Sequence, residues 1–265
     1  MKPLEQCRLY TFIDTACLGG RKAAEVAAQL CDGGSDLIQL RAKGATADEV
    51  CRLAEEIQPV LHRANIGLVI NDHWGIACKI GAEYCHLGQE DFFGAGRAES
   101  ANQLLAESPR RGEFGRLGEP SLPQREVASS KADLRPGTDV SGAVSASGER
   151  SGAGVSPQVP LLGLSTHAPA EASRALAAKP AYVAIGPVFP TATKPEAAPV
   201  TLDYVRWAAT NIRIPWFAIG GINLGNIGEV LHAGATRICA ISAILNHPRP
   251  AEACRQFRQH LSSVS

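Results

Sequence analysis

The feature that most constrains this chain is an alternation. Short runs of strand-forming residues are each followed by a segment of helical period, and the pair recurs eight times. "RLYTFID" (8–14) precedes "RKAAEVAAQLCDGG", where Ala23, Val26, Ala27 and Leu30 recur at i, i+3, i+4, i+7 and Gly33 and Gly34 supply a stop. "DLIQLRAK" (36–43) precedes "TADEVCRLAEEIQPVLHR", in which Thr46 and Glu49 form a capping box ahead of an apolar face of Val50, Leu53, Ala54 and Ile57. The pairing returns at "GLVIN" (67–71) with "HWGIACKIGA", at "YCHLG" (84–88) with "RAESANQLLAE", and at "PLLGLS" (160–165) with "APAEASRALAAK". It closes with "AYVAIG" (181–186) and "LDYVRWAATN", "IPWFAIGG" (214–221) and "GNIGEVLHAG", then "RICAIS" (237–242) and "AEACRQFRQHL".

Strands that alternate with helices form a parallel sheet, and eight such units close an α/β TIM-type (β/α)₈ barrel. An open doubly wound sheet is the rival; the short strands and the lack of a G-x-G-x-x-G turn count against it. A single domain over residues 1–265 suits the length. Residues 108–158 interrupt the pattern, being rich in Ser, Gly, Pro, Arg and Glu and without period. Too few apolar groups are present to offset the entropy of ordering them, so a low-complexity, disordered insertion is expected between the fourth helix and the fifth strand.

Charge narrows the partners. Lys and Arg number 26 and Asp and Glu number 26, so nothing draws the chain to nucleic acid or to an anionic membrane. No apolar run approaches the ~20 residues of a membrane span, and the first residues lack the pattern of a secretory leader. A cytoplasmic protein acting on small molecules is the expectation, with homo-oligomer formation left open. The eight cysteines are scattered without a C-x-x-C pair, which reads as reduced and mostly buried thiols.

In a barrel of this type the site lies at the C-terminal ends of the strands, so the polar residues closing each apolar run are the candidates. Gln39, Arg41 and Lys43 share one side of strand two by period, and facing inward they call for an anion such as phosphate or diphosphate. Strand three ends in Asn71 and Asp72, and strand four in Gln89, Glu90 and Asp91. Asp72 and Asp91 then meet on one rim, either as salt-bridge partners of Arg41 and Lys43 or as holders of Mg²⁺ for a diphosphate. Ser165 closes strand five as a pocket residue, or it or Thr166 caps the next helix. After strand six, Thr191, Thr193 and Lys194 form either an oxyanion clamp or a plain loop. Gly220, Gly221, Ile241 and Ser242, after strands seven and eight, fit a backbone phosphate site. His86 reads equally as a satisfied core residue or a catalytic one, while His73, His167, His232 and His247 have no evident partner.

Taken together, "QLRAK", "INDHWGIACKIGAEYCHLGQED", "LLGLSTH", "YVAIGPVFPTATK", "WFAIGGIN" and "AISAI" resemble the thiamine phosphate synthase family in order and spacing, over all but about residues 93 to 159. The resemblance implies an enzyme, a TIM-barrel transferase that joins a hydroxymethylpyrimidine diphosphate to thiazole phosphate and releases pyrophosphate. It implies that Gln39, Arg41, Lys43, Asn71, Ser165 and Lys194 contact the pyrimidine diphosphate, with Arg41, Lys43 and Lys194 stabilising the leaving group. Asp72 and Asp91 would ligate one Mg²⁺, and Thr191, Thr193, Gly221, Ile241 and Ser242 would meet the thiazole phosphate. Ala42 departs from the family, which usually carries an acidic residue there; period two points it away from its neighbours. The insertion is the larger departure. The rivals are a paralogue that tautomerises a thiazole phosphate and a non-catalytic phosphate-binding barrel; the two Asp and Lys194 favour the synthase.

Overall fold

The computed structural model describes residues 1–94, 159–191 and 198–263. Eight parallel strands close a barrel in chain order: β1 Leu9–Asp14, β2 Leu37–Arg41, β3 Gly67–Asn71, β4 Tyr84–Leu87, β5 Leu161–Thr166, β6 Tyr182–Ile185, β7 Trp216–Ala218 and β8 Ile238–Cys239. Around them run α1 Ala23–Asp32, α2 Ala47–Ala64, α3 Trp74–Ile80, α4 Gln89–Phe93, α5 Pro169–Ala177, α6 Thr201–Asn211, α7 Ile227–His232, α8 Ser242–Leu245 and α9 Pro250–Ser262. Among the described residues, no helix is long and apolar enough to cross a membrane.

Local chemistry accounts for the boundaries. Thr46 caps α2 by accepting the Glu49 N–H at 3.3 Å while the Glu49 carboxylate accepts the Thr46 N–H at 2.8 Å, the expected capping box. Gly33 ends α1 and Gly34 continues at φ +87, a region closed to most side chains.

Strand period sorts the side chains into two cores. Leu9, Ile13, Ile38, Leu40, Leu68 and Ile70 face outward into the layer beneath the helices. Tyr10, Phe12, Leu37, Val69, Tyr84, Tyr182 and Phe217 fill the barrel interior. One glycine shapes that interior: a Cβ on Gly163 would stand 2.2 Å from the Tyr182 ring, so β5 makes room for the tyrosine of β6.

The barrel is thinly paired where its last strand returns: β8 pairs with β1 over two residue positions and with β7 over one. Side chains reinforce this seam. Arg8 Nη1 donates to the Leu261 carbonyl at 2.7 Å, and Arg21 Nη2 to the Leu245 carbonyl at 2.7 Å.

Three expectations change or fall outside the description. β4 stops at Leu87, so Gln89, Glu90 and Asp91 lie on the short α4 rather than on the strand. Gly88 breaks the strand, and burial of Gln89 and Phe92 fixes the turn that follows. A short helix, α8, precedes the C-terminal one and had no distinct period in the sequence. The helix expected over 97–107 and the insertion at 108–158 lie outside the described residues. All eight cysteines are free, with Cys7, Cys51, Cys85, Cys239 and Cys254 buried.

Candidate active site

On β2, Gln39 and Arg41 point into the barrel as their period requires, and they are only 2% and 8% exposed. A guanidinium that deep needs a counter-charge. Asp14, at the end of β1 and in register with Arg41, supplies it: Arg41 Nη1 donates to Asp14 Oδ2. Asp14 is itself held, accepting the Ala16 N–H at 3.1 Å. This bond engages one arm of the fork, and Arg41 lines the pocket. The sequence reading passed over Asp14, although it closes strand one as Arg41 closes strand two.

Gln39, Arg41, Asn71, Ser165, Thr191 and Ile241 line a single pocket at the strand C-termini. Phe12, Ala184, Pro187 and Ile219 supply its apolar wall. Next to it, Thr191, Gly221, Asn223, Ser242 and Asn246 line a second recess, and Thr191 belongs to both. Gly221, at φ +66, would place a Cβ 2.6 Å from the Pro190 carbonyl oxygen. Glycine is thus required for the loop after β7 to press against the loop after β6. Asn226 Nδ2 fixes the turn by donating to the Gly221 carbonyl at 2.9 Å.

Ser165 does not cap a helix. Its Oγ lies 2.8 Å from His86 Nε2, and α5 starts behind Ala168 with no side-chain cap. Thr166 faces outward, donating to the Ala184 carbonyl at 3.1 Å and accepting from the Tyr204 hydroxyl at 2.8 Å. His167 lines the pocket with Nδ1 at 3.0 Å from Glu171 Oε2, a partner that the sequence did not indicate.

The carboxylate pair is also brought together. Asp72 sits at φ +62, a left-handed conformation that aspartate tolerates better than most residues, and its N–H donates to the His86 carbonyl at 2.9 Å. Its pKa is raised, first by burial and then by the charge of Asp91; Lys43 and an Asn71 amide bond of 2.6 Å oppose the rise. Asp91 is carried on α4, which is braced from β5 and α5: Gln89 Nε2 donates to the Ser165 carbonyl at 2.6 Å, and Arg174 Nη2 to Gln89 Oε1 at 2.5 Å. The Arg174 guanidinium also lies 4.4 Å above the Phe93 ring.

The donor set fits Mg²⁺. Two carboxylates repel one another across a partly desolvated gap, which a hard dication relieves while leaving positions for water and phosphate oxygens. No group of three or more His, Cys, Asp or Glu gathers among the described residues, so a four-ligand zinc site does not fit as well. Lys43 is exposed and outside the pocket lining, close enough to act on Asp72. Thr193 and Lys194 lie outside the described residues.

Fold and site together define a class: an α/β barrel with a cationic pocket and a carboxylate pair at the C-terminal ends of its strands. The family model for thiamine monophosphate synthase matches residues 9–107 and 155–244. A thiamine-phosphate synthase of Thermus thermophilus is 34% identical over 234 residues, covering 88% of this chain and 86% of its own. That of Acidothermus cellulolyticus is 33% identical over 265 residues, covering 99% and 98%. Thiamine phosphate pyrophosphorylase from Pyrococcus furiosus shares the fold, with a TM-score of 0.68 at 21% identity and 99% of each chain covered. The chain belongs to the thiamine monophosphate synthase family.

Proposed function

We propose that this chain is a thiamine-phosphate synthase: it condenses 4-amino-2-methyl-5-hydroxymethylpyrimidine diphosphate with thiazole phosphate, giving thiamine phosphate and pyrophosphate. The observation that carries this reading is the pair of recesses joined at Thr191, one reached by Arg41 and one bounded by Gly221 and Ser242. Two adjoining subsites are what a coupling of two phosphorylated substrates needs.

The bond that breaks joins the pyrimidine methylene carbon to the diphosphate oxygen, and its electron pair leaves with the diphosphate. The electron-rich aminopyrimidine stabilises the cation left behind, and the lone pair of the thiazole nitrogen forms the new carbon–nitrogen bond. Arg41, fixed by Asp14, holds the leaving group, with Lys43 and Lys194 adding positive charge. Asp72 and Asp91 would hold Mg²⁺, which supplies Lewis-acid neutralisation of the departing charge. The apolar wall of Phe12, Pro187 and Ile219 keeps water from capturing the cation. No protein nucleophile is needed. The free thiols support a reducing, cytoplasmic setting.

The test is Mg²⁺-dependent pyrophosphate release by the purified protein. Release should require both substrates together; its absence with both present would sink the assignment.

A further inference from the structure

Five side chains from five strands form one hydrogen-bonded chain across the barrel. Gln39 Nε2 donates to the Tyr10 hydroxyl at 2.5 Å, and the Tyr10 and Tyr182 hydroxyls lie 3.0 Å apart. The Tyr182 hydroxyl is 3.1 Å from His86 Nδ1, and His86 Nε2 is 2.8 Å from Ser165 Oγ. The interior members are buried, with Tyr10 and Tyr182 at 0% and His86 at 7% exposure, and Tyr10 and His86 reach the floor of the pocket. Gly163 provides the room in which the Tyr182 ring stands.

The chain has a direction. An amide N–H only donates, and a tyrosine hydroxyl has a single proton to give. Tyr10 accepts from Gln39, and among the described residues Tyr182 is the hydroxyl's other hydrogen-bond partner, so the Tyr10 proton goes to Tyr182 and the Tyr182 proton goes on to Nδ1 of His86. An imidazole nitrogen that accepts carries no proton, which puts the ring proton on Nε2, aimed at Ser165 Oγ. Ser165 accepts that bond and retains its hydroxyl proton for the pocket it lines. Burial pushes both tyrosine hydroxyls well above the ordinary phenol range, so both remain donors.

We propose that Tyr10, Tyr182 and His86 are positioning residues: a directed relay that starts at the Gln39 amide and holds Ser165 as a hydrogen-bond donor toward the pyrimidine substrate. The substrate assignment rests on the synthase reading above; the direction of the relay does not. Two groups on opposite sides of the pocket, Gln39 on β2 and Ser165 on β5, are thereby coupled through the barrel interior. A packing role alone is the competing account, since Tyr10, Tyr182 and Phe217 also form edge-to-face contacts at 5.3–5.9 Å between ring centroids. Tyrosine-to-phenylalanine changes separate the two, because they keep the rings and remove the hydroxyls.

The experiment is nitrogen NMR of ¹⁵N-histidine-labelled full-length protein, read beside steady-state kinetics. In the unsubstituted protein, His86 should carry its proton on Nε2. Tyr182→Phe should leave a mixture of ring tautomers and lower kcat roughly tenfold, the scale of one net hydrogen bond, with KM for thiazole phosphate unchanged. Tyr10→Phe should act in the same direction and serves if Tyr182→Phe does not fold. A proton on Nδ1 of the unsubstituted protein would overturn the relay, and so would either variant that keeps both the tautomer and the turnover. Absence of pyrophosphate release from unsubstituted protein with an Nε2 proton would instead remove the synthase reading and leave the relay standing.

Discussion

Two aspartates next to strands divide the work of this barrel. Asp36 precedes β2 at the N-terminal end, and its carboxylate is saturated: it accepts from the Arg8 N–H at 2.7 Å, the Leu9 N–H at 3.0 Å, Arg258 Nη1 at 2.6 Å and Lys2 Nζ at 2.7 Å. Asp72 follows β3 at the opposite end, takes a single amide bond from Asn71 among the described residues, and faces Asp91. A carboxylate whose demands are met inside the protein contributes to folding. One left beside a like charge is held ready for something that arrives from outside.

The contrast can be broken in four ways. The largest effect belongs to Asp36→Ala, which should cost about 3–5 kcal/mol of stability by leaving the Arg8 and Leu9 N–H groups without an acceptor and removing the partner of Arg258; urea denaturation measures it, and turnover per folded molecule should hold. Asp72→Ala should do the reverse, lowering turnover about 10²–10³-fold with the thermal midpoint retained. A matching fall in the midpoint would place Asp72 with Asp36 among structural groups. Asp14→Asn lies between, since it keeps the shape and removes the counter-charge of Arg41. It should cost about 1–3 kcal/mol and raise KM for the pyrimidine diphosphate, and an unaltered KM would show that Arg41 finds its place unaided. Smallest is the metal itself: Mg²⁺ at ten times its Kd should stabilise the protein by about 1.4 kcal/mol, a shift that chelation reverses and that Asp72→Ala lacks.

Much of this organisation was legible because it is local. The i, i+3, i+4 spacing of α1, the Thr46–Glu49 cap and the two-residue period of Gln39 and Arg41 are set within a few residues, and each appears as expected. What escaped depends on partners far away in the chain. Asp14 meets Arg41 across 27 positions, and His86 meets Ser165 across 79 and Tyr182 across 96, distances over which sequence carries no periodic signal. The nearness of Asp91 to Asp72 was legible but the element carrying it was not, because a strand end and a one-turn helix read alike at a Gly88 boundary.

The seam between β1 and β8 bears on how the chain comes to be folded at all. Arg8 is tied to a carbonyl 253 residues further on, so β1 emerges from a ribosome long before its partner exists. At ordinary translation speeds the wait is on the order of 10–50 s. During it β1 carries an unpaired edge, the kind that invites association with other chains. Synthesis of this barrel is therefore a period of exposure that ends only when β8 arrives to pair with it, and the yield of soluble protein should depend on how well that edge is shielded until then.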